Sequence, residues 1–207
     1  MRIVPVSAAA IDQALSILRS GGIVAHATET CYGLACDLGN PTAVKKLFRM
    51  KQRSEDQPVS ALFSSITEAK RFVEWSSKAQ ELGKKFLPGP LTLILPLRKD
   101  RPSDLFVVAQ SPSFKAHRSI GVRISSHPLA AELVTRFGKP LSTTSANIHG
   151  LPNTYSAEEI VVQLQGQEVQ PDLIIDSGSL PKLPSSSVID LTGTTPGLLR
   201  KGEISPR

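Results

Sequence analysis

Apolar residues along the chain recur at two spacings, every three to four positions and every second position, and the switches between them fall at Gly, Pro and Asn. Ile11, Ala14, Leu15 and Leu18 lie on one face of a helix that Ser7 can cap and Gly21-Gly22 closes. Residues 23–27 then read as a short buried strand. Asn40 and Pro41 open a second helix with Val44, Leu47 and Phe48 inward. Residues 58–63 are strand-like; Thr67 starts a helix with Ala69, Phe72 and Val73 on one face, and Ser77 starts another that ends near Phe86. The turn Pro88-Gly89-Pro90 leads into a strand at 91–97, and residues 120–124 form the next one. Pro128 opens a helix with Ala130, Leu133, Val134 and Phe137 inward, stopped by Gly138, and residues 140–142 lead into a polar loop. Ser156 and Glu159 fit a capping box ahead of Ala157, Ile160, Val161 and Leu164. Strands at 173–176, 187–191 and 198–201 finish the chain.

Helices separate most of these strands, but some strands follow one another directly. That order predicts an α/β fold with a mixed sheet and helices on its faces, rather than a purely doubly wound one. No repeat or linker divides the 207 residues, which read as one domain, 1–207. The longest apolar stretch, 91–97, is far short of the ~20 residues a membrane helix needs. The run Ala8-Ala9-Ala10 has the small residues of a cleavage site, but the helical stripe continues through it, so no signal peptide is read. Cys31 and Cys36 form neither a disulfide framework nor a zinc site; they fit a reducing, cytoplasmic setting as small apolar residues.

A formal charge of +6 and a pI near 9.5 favour phosphate-bearing partners without choosing between a nucleotide and a nucleic acid. Seven Phe, two Tyr and one Trp leave few stacking platforms for a reader of single strands. The glycine-rich phosphate loops G-x-x-x-x-G-K-[ST] and G-x-G-x-x-G are absent, as are H-E-x-x-H and G-x-S-x-G, so a phosphate site would have to be built another way. His26, His117, His127 and His149 lack metal-ligand spacing and read as structural or exposed.

Three segments could carry chemistry. Lys45, Lys46, Arg49, Lys51 and Arg53 form a basic run that either a solvated helix face or an anion site would explain. Within it, Lys51 falls seven residues after Val44 on the inward stripe, where an ammonium must snorkel, meet an acid or await an anion; Arg53 follows toward the same place. The segment STTSAN (142–147) gathers four hydroxyls and an amide after a strand, as a phosphate or carboxylate cradle would, and as an ordinary Ser/Thr-rich turn would too. TETCYGL (28–34) follows a strand end, where α/β proteins place ligand-binding groups. Arg123 and Arg200, each near a strand end, are either anion ligands or surface charges.

In this order, the segments TETCYGL (28–34), KQR (51–53), PGPLTL (88–93), GVRI (121–124), STTSAN (142–147), SSSVID (185–190) and LRKG (199–202) resemble the YrdC-like family of threonylcarbamoyl-AMP synthases. The resemblance covers nearly the whole chain. It implies a twisted mixed sheet with flanking helices and a concave basic cavity. It also implies a reaction in which L-threonine, bicarbonate and ATP give threonylcarbamoyl-AMP and pyrophosphate, the first step toward threonylcarbamoyladenosine in tRNA. ATP would then be a substrate, Mg2+ would be carried by its phosphates, and transfer proteins would act downstream. By the same resemblance, Lys51 and Arg53 are the catalytic pair and bind ATP together with Ser145, Asn147 and Arg200. Thr30, Arg123, Thr143 and Ser185 fall where related enzymes hold threonine. The chain departs from the family pattern at Ser54, at His26-Ala27 and at Ser60, which sets amino-acid selection further from the pattern than nucleotide binding. It also ends without the second domain of longer members. Two alternatives stand beside the synthase: an RNA-binding paralogue using the basic cavity without adenylation, and carbamoyl adenylation of another acceptor.

Overall fold

The computed structural model describes residues 1–54, 59–99 and 119–204. In chain order these form β1 (Arg2–Pro5), α1 (Ala8–Arg19), β2 (Val24–Ala27), β3 (Tyr32–Ala35), α2 (Pro41–Met50), β4 (Ser60–Leu62), α3 (Ile66–Ala69), α4 (Ser77–Phe86) and β5 (Leu91–Pro96). Then follow β6 (Ser119–Arg123), α5 (Pro128–Phe137), β7 (Leu141–Ser145), α6 (Ala157–Leu164), β8 (Leu173–Asp176), β9 (Ser187–Asp190) and β10 (Gly197–Arg200). The ten strands make one mixed sheet in the order β1-β8-β2-β3-β7-β4-β6-β5-β9-β10. Among the described residues, no helix is long and apolar enough to cross a membrane. Pro58, the expected start of the fourth strand, and His117 lie outside the described residues.

Alternation along each strand divides the sheet into two faces. On one face Ala25, Ala27, Leu34, Ala61, Val122, Leu93 and Ile189 pack against Val44 and Leu47 of α2, Ala79 and Leu82 of α4, and Ile160 and Leu164 of α6. On the other, Val24, Ala35, Leu62, Leu141, Leu173 and Ile175 pack against Ile11, Leu15 and Leu18 of α1 and Leu129, Leu133 and Val134 of α5. Helices α1 and α5 therefore cover only the part of this second face that is apolar. Two residues on from Leu141 along β7 stand Thr143 and Ser145, two back from Leu62 on β4 stands Ser60, and Ser119, Gly121 and Arg123 alternate along β6. These polar positions form the floor of a cleft.

The helix ends are built as the sequence reading expected. Ser7 and Asn40 accept from backbone N–H groups of α1 and α2, and Gly138 closes α5 in the left-handed region with φ 79°. Three differences have local causes. First, residues 142–145, expected as loop, are central strand: Ser142 Oγ donates to Leu34 O at 3.2 Å and accepts from Cys36 N at 2.8 Å, stitching β7 to β3. Hydroxyl groups can be buried on a strand when they find such partners. Second, β1 and β3 were not anticipated. β1 is short and exposed but pairs in parallel with β8, while the Tyr32–Ala35 stretch returns antiparallel along β2. Third, the helix expected from Thr67 starts at Ile66 under a Ser65 cap and ends at Ala69, because the chain leaves it to pair with β5: Glu74 N donates to Pro96 O and Arg98 N to Phe72 O.

Two glycines are required by close approach. A Cβ on Gly121 would stand 2.3 Å from Ser60 Oγ, so its bare Cα is what admits Ser60 to the cleft floor. A Cβ on Gly202 would stand 2.0 Å from Ser185 O, so the chain after β10 can cross the start of β9 only as glycine.

Candidate active site

The cleft on the open part of the sheet encloses about 310 Å³, at the lower end of the ~300–1,000 Å³ typical of small-molecule sites. Seven of the nine residues expected at a site line it: Thr30, Arg53, Arg123, Thr143, Ser145, Ser185 and Arg200. Lys51 and Asn147 stand directly behind Ser145.

Lys51 and Arg53 diverge because of how α2 ends. Gln52 N donates to Arg49 O and Arg53 N to Phe48 O, with Gln52 in the left-handed region at φ 50°. This is the Schellman closure, here formed with a glutamine in place of the usual glycine. It drops Lys51 into the interior, 4% exposed, and turns Arg53 to the cleft. The Lys51 ammonium donates to Ser145 O at 2.6 Å, Asn147 O at 2.8 Å and Asn147 Oδ1 at 3.1 Å. It meets neither an acid nor an open cavity but three carbonyl oxygens. Burial, with Arg53's charge adding to it, pushes the ammonium down to about 8, which leaves it charged at neutral pH. Ser145 Oγ donates to Asn147 Oδ1 and Asn147 Nδ2 to Leu151 O, both at 2.5 Å, so the Lys51, Ser145 and Asn147 side chains are tied to one another behind the cleft.

On the opposite wall the TETCYGL segment folds around Thr28. Its Oγ1 donates to Cys31 O at 2.6 Å and accepts from Thr30 N and Cys31 N, a Ser/Thr turn that presents Thr30. Glu29, which sequence reasoning left without a role, forms a buried ion pair with Arg123 at 2.6 Å, side chains 14% and 7% exposed. Its other oxygen accepts from Ser125 Oγ. Arg123 Nε is buried with no acceptor among the described residues, as is Ser119 Oγ, and both residues line the cleft. Ser119, Thr92 and Ser186 were also missed; the period of two in β6 and β5 was the signal that could have placed the first two on the cleft face.

Cys31 and Cys36 are free and buried, and burial pushes both thiols up, that of Cys36 to about 12. Burial pushes the Arg53 and Arg200 guanidiniums down, and Arg123's charge adds to the effect on Arg200. Among the described residues, no three His, Cys, Asp or Glu side chains are grouped to hold a metal ion.

His26 lies on β2 in register with Gly33, at the edge of the cleft face, and is 1% exposed. Its Nδ1–H donates to Ala27 O at 3.0 Å, leaving Nε2 without a partner among the described residues. A proton on Nε2 would have nothing to bond, so burial holds this histidine down at about 4. Between that value and the ordinary 6.5, the unfolded chain binds a proton that the folded one refuses, so stability falls as pH falls through this window. The expected loss is about 2–3 kcal/mol between pH 7 and 4.5. Urea denaturation of wild type and His26→Gln across this range checks it; equal pH slopes in the two proteins would remove His26 as the cause.

Fold and cleft together define a mixed α/β protein that leaves one part of a sheet face open as a pocket of hydroxyls and arginines. The family model Sua5/YciO/YrdC, described as telomere recombination, matches residues 16–202, and the chain belongs to this family. A threonylcarbamoyl-AMP synthase of Bacillus subtilis is 35% identical over 197 residues, 94% of this chain and 54% of the relative, so the chain spans about half of that protein's length. Another, from Vibrio cholerae, is 35% identical over 160 residues, 76% of this chain and 81% of the relative. Among solved structures, P. abyssi Sua5 complexed with L-threonine superposes with a TM-score of 0.82 at 32% identity, covering 97% of this chain and 56% of that one. E. coli YciO superposes with a TM-score of 0.79 at 30% identity, covering 97% and 93%.

Proposed function

We propose that the chain is a threonylcarbamoyl-AMP synthase that joins L-threonine, bicarbonate and ATP and releases pyrophosphate. The observation that carries this reading is the meeting of Thr30, Arg53, Arg123, Thr143, Ser145, Ser185 and Arg200 around one cleft. The sheet that bears it superposes on Sua5 complexed with L-threonine. The names of the Bacillus and Vibrio relatives support the same activity.

The chemistry asks little covalent work of the protein. Threonine's amine and bicarbonate condense with loss of water to a carbamate. A carbamate oxygen then attacks the α-phosphorus of ATP, and the bond to pyrophosphate breaks. Charge grows on the phosphate oxygens in that step, and fixed cations in a water-poor cleft stabilise it without reorganising. Arg53, Arg200 and Ser145 serve the phosphates. Lys51 and Asn147 hold Ser145 and the β7 end in place. Thr30, Arg123, Thr143 and Ser185 orient the amino acid, so that reacting atoms start in near-attack geometry. Mg2+ enters with the nucleotide's phosphates, and the product passes to transfer proteins that modify tRNA.

Pyrophosphate release from ATP, with threonine and bicarbonate omitted in turn, tests the reading. Release that requires both is the expected result. Release that proceeds with bicarbonate and another amine in place of threonine points to another carbamoyl acceptor, and absence of release under all conditions overturns the synthase.

A further inference from the structure

Two hydroxyls in contact on the cleft floor have no part in the roles above. Thr92 Oγ1 and Ser186 Oγ lie 2.9 Å apart, both residues are 4% exposed, and both line the cleft. Ser186 is gripped from its other side: Arg200 Nε donates to Ser186 O at 2.9 Å and Arg200 Nη2 to Ser186 Oγ at 3.0 Å. A guanidinium has donors only, so Ser186 Oγ is the acceptor in that contact. A hydroxyl that accepts from a cation is polarised into a stronger donor, and the acceptor within its reach is Thr92 Oγ1. With Ser186 as the donor, Thr92 keeps its own O–H unspent, since Oγ1 has no other hydrogen-bond partner among the described residues.

Strand register sets this unspent donor between two arginines. Thr92 pairs with Arg123 on β6 and with Val188 on β9, and Val188 pairs with Arg200 on β10. Residues in register on neighbouring strands share a face, so Arg123, Thr92, Val188 and Arg200 make one row across the floor. Arg123 adds a second unspent donor, its buried Nε–H. Glu29 already pairs with Arg123 through Nη2, but the Arg123 Nε–H and the Thr92 O–H remain unsatisfied beside the Arg200 guanidinium, and one anionic oxygen would accept from both donors.

We propose that Thr92 is a ligand-binding residue of this cleft, donating its hydroxyl hydrogen to an anionic oxygen held between Arg123 and Arg200, with Ser186 setting the direction of that hydrogen bond. The proposal rests on the synthase reading, whose substrates offer two sources for such an oxygen, a phosphate of ATP and the carboxylate of threonine.

Calorimetric titration of the full chain with ATP and, separately, with L-threonine distinguishes them. Thr92→Val weakens one of the two by about ten-fold or more, the loss of a hydrogen bond to a charged group, and the other by less than about two-fold. The ligand that loses affinity is the source of the oxygen. Thr92→Ser, which keeps the hydroxyl, binds that ligand within about three-fold of wild type. Ser186→Ala weakens the same ligand less than Thr92→Val does, since Thr92 keeps its donor and loses its direction. Thr92→Val binding both ligands as wild type does overturns the proposal and leaves the synthase reading standing. Thr92→Ser as weak as Thr92→Val assigns the loss to packing and overturns it as well. A wild-type protein that binds neither ligand overturns both readings. Denaturation midpoints accompany each titration, and Thr92→Ala, read the same way, replaces Thr92→Val if that variant does not fold.

Discussion

Glu29→Ala lowers the free energy of unfolding by about 3–5 kcal/mol, the cost of leaving one member of a buried ion pair alone. Glu29 and Arg123 meet at 2.6 Å with side chains 14% and 7% exposed, so little solvent is present to take the carboxylate's place. The substitution also frees Ser125, whose Oγ donates to Glu29 and accepts from His127 N at 3.1 Å, where α5 begins. Activity falls with stability but by a separate route. Arg123 keeps its charge and loses its aim, and a misplacement of about 1 Å in a positioning group costs about 100-fold in rate. A double-mutant cycle separates the pair from its surroundings. Glu29→Met with Arg123→Met leaves no charge stranded, so the double variant is more stable than the sum of the two singles by about 1.5–3 kcal/mol. Urea denaturation of the four proteins reads this directly. Additive single effects would show that the two groups do not depend on each other, and Glu29 would then be an ordinary polar residue of the cleft rim.

What the chain discloses before folding is uneven in an informative way. Four helices were legible because each carries an apolar stripe and a start signal: Ser7, Asn40, Pro128 and Ser156 sit where they begin. Most strands on the covered part of the sheet were legible as apolar runs; the exposed β1 and the β3 stretch, which returns directly along β2, were not. A third missed strand, at 142–145, has residues that are polar on both faces, Ser142 and Thr144 on one side and Thr143 and Ser145 on the other. Such a segment has no periodicity to read, and only its partners Leu34 and Cys36, more than a hundred residues away, make it a strand. The candidate site was legible for the same reason that β7 was not: hydroxyls and cations without an apolar pattern stand out as chemistry. What could not be read was which of them face ligand and which face protein. Lys51 and Arg53 are neighbours in sequence, yet one bonds three protein oxygens and the other lines the cleft, because a glutamine takes the left-handed position between them. Glu29 lay within a recognised segment and still gained its role only through Arg123, ninety-four residues on.

Lys51→Met tests that division between protein-facing and ligand-facing cations. The ammonium makes three hydrogen bonds from a charged donor, each worth about 1.5–3 kcal/mol, to Ser145 O, Asn147 O and Asn147 Oδ1. Against them stands the cost of burying the charge. Burial, with Arg53's charge adding to it, lowers the ammonium to about 8, so the site holds the charge less well than water does. Removing the ammonium while keeping the length of the stem still strands three oxygens without their donor, and lowers stability by about 2–5 kcal/mol. Lys51→Arg does not restore it, because a planar fork cannot converge on three oxygens arranged around a single nitrogen. ATP affinity falls by about 10–100-fold with the stability, since Ser145 and Asn147 lose the tether that holds them at the cleft edge. The joint outcome matters more than either number. A lower urea midpoint together with weaker ATP binding identifies Lys51 as a positioning residue acting through Ser145. Weaker ATP binding with an unchanged midpoint would mean that the ammonium leaves its three carbonyls to meet the nucleotide, and the burial of Lys51 would then describe the resting state of a residue that moves when ATP arrives.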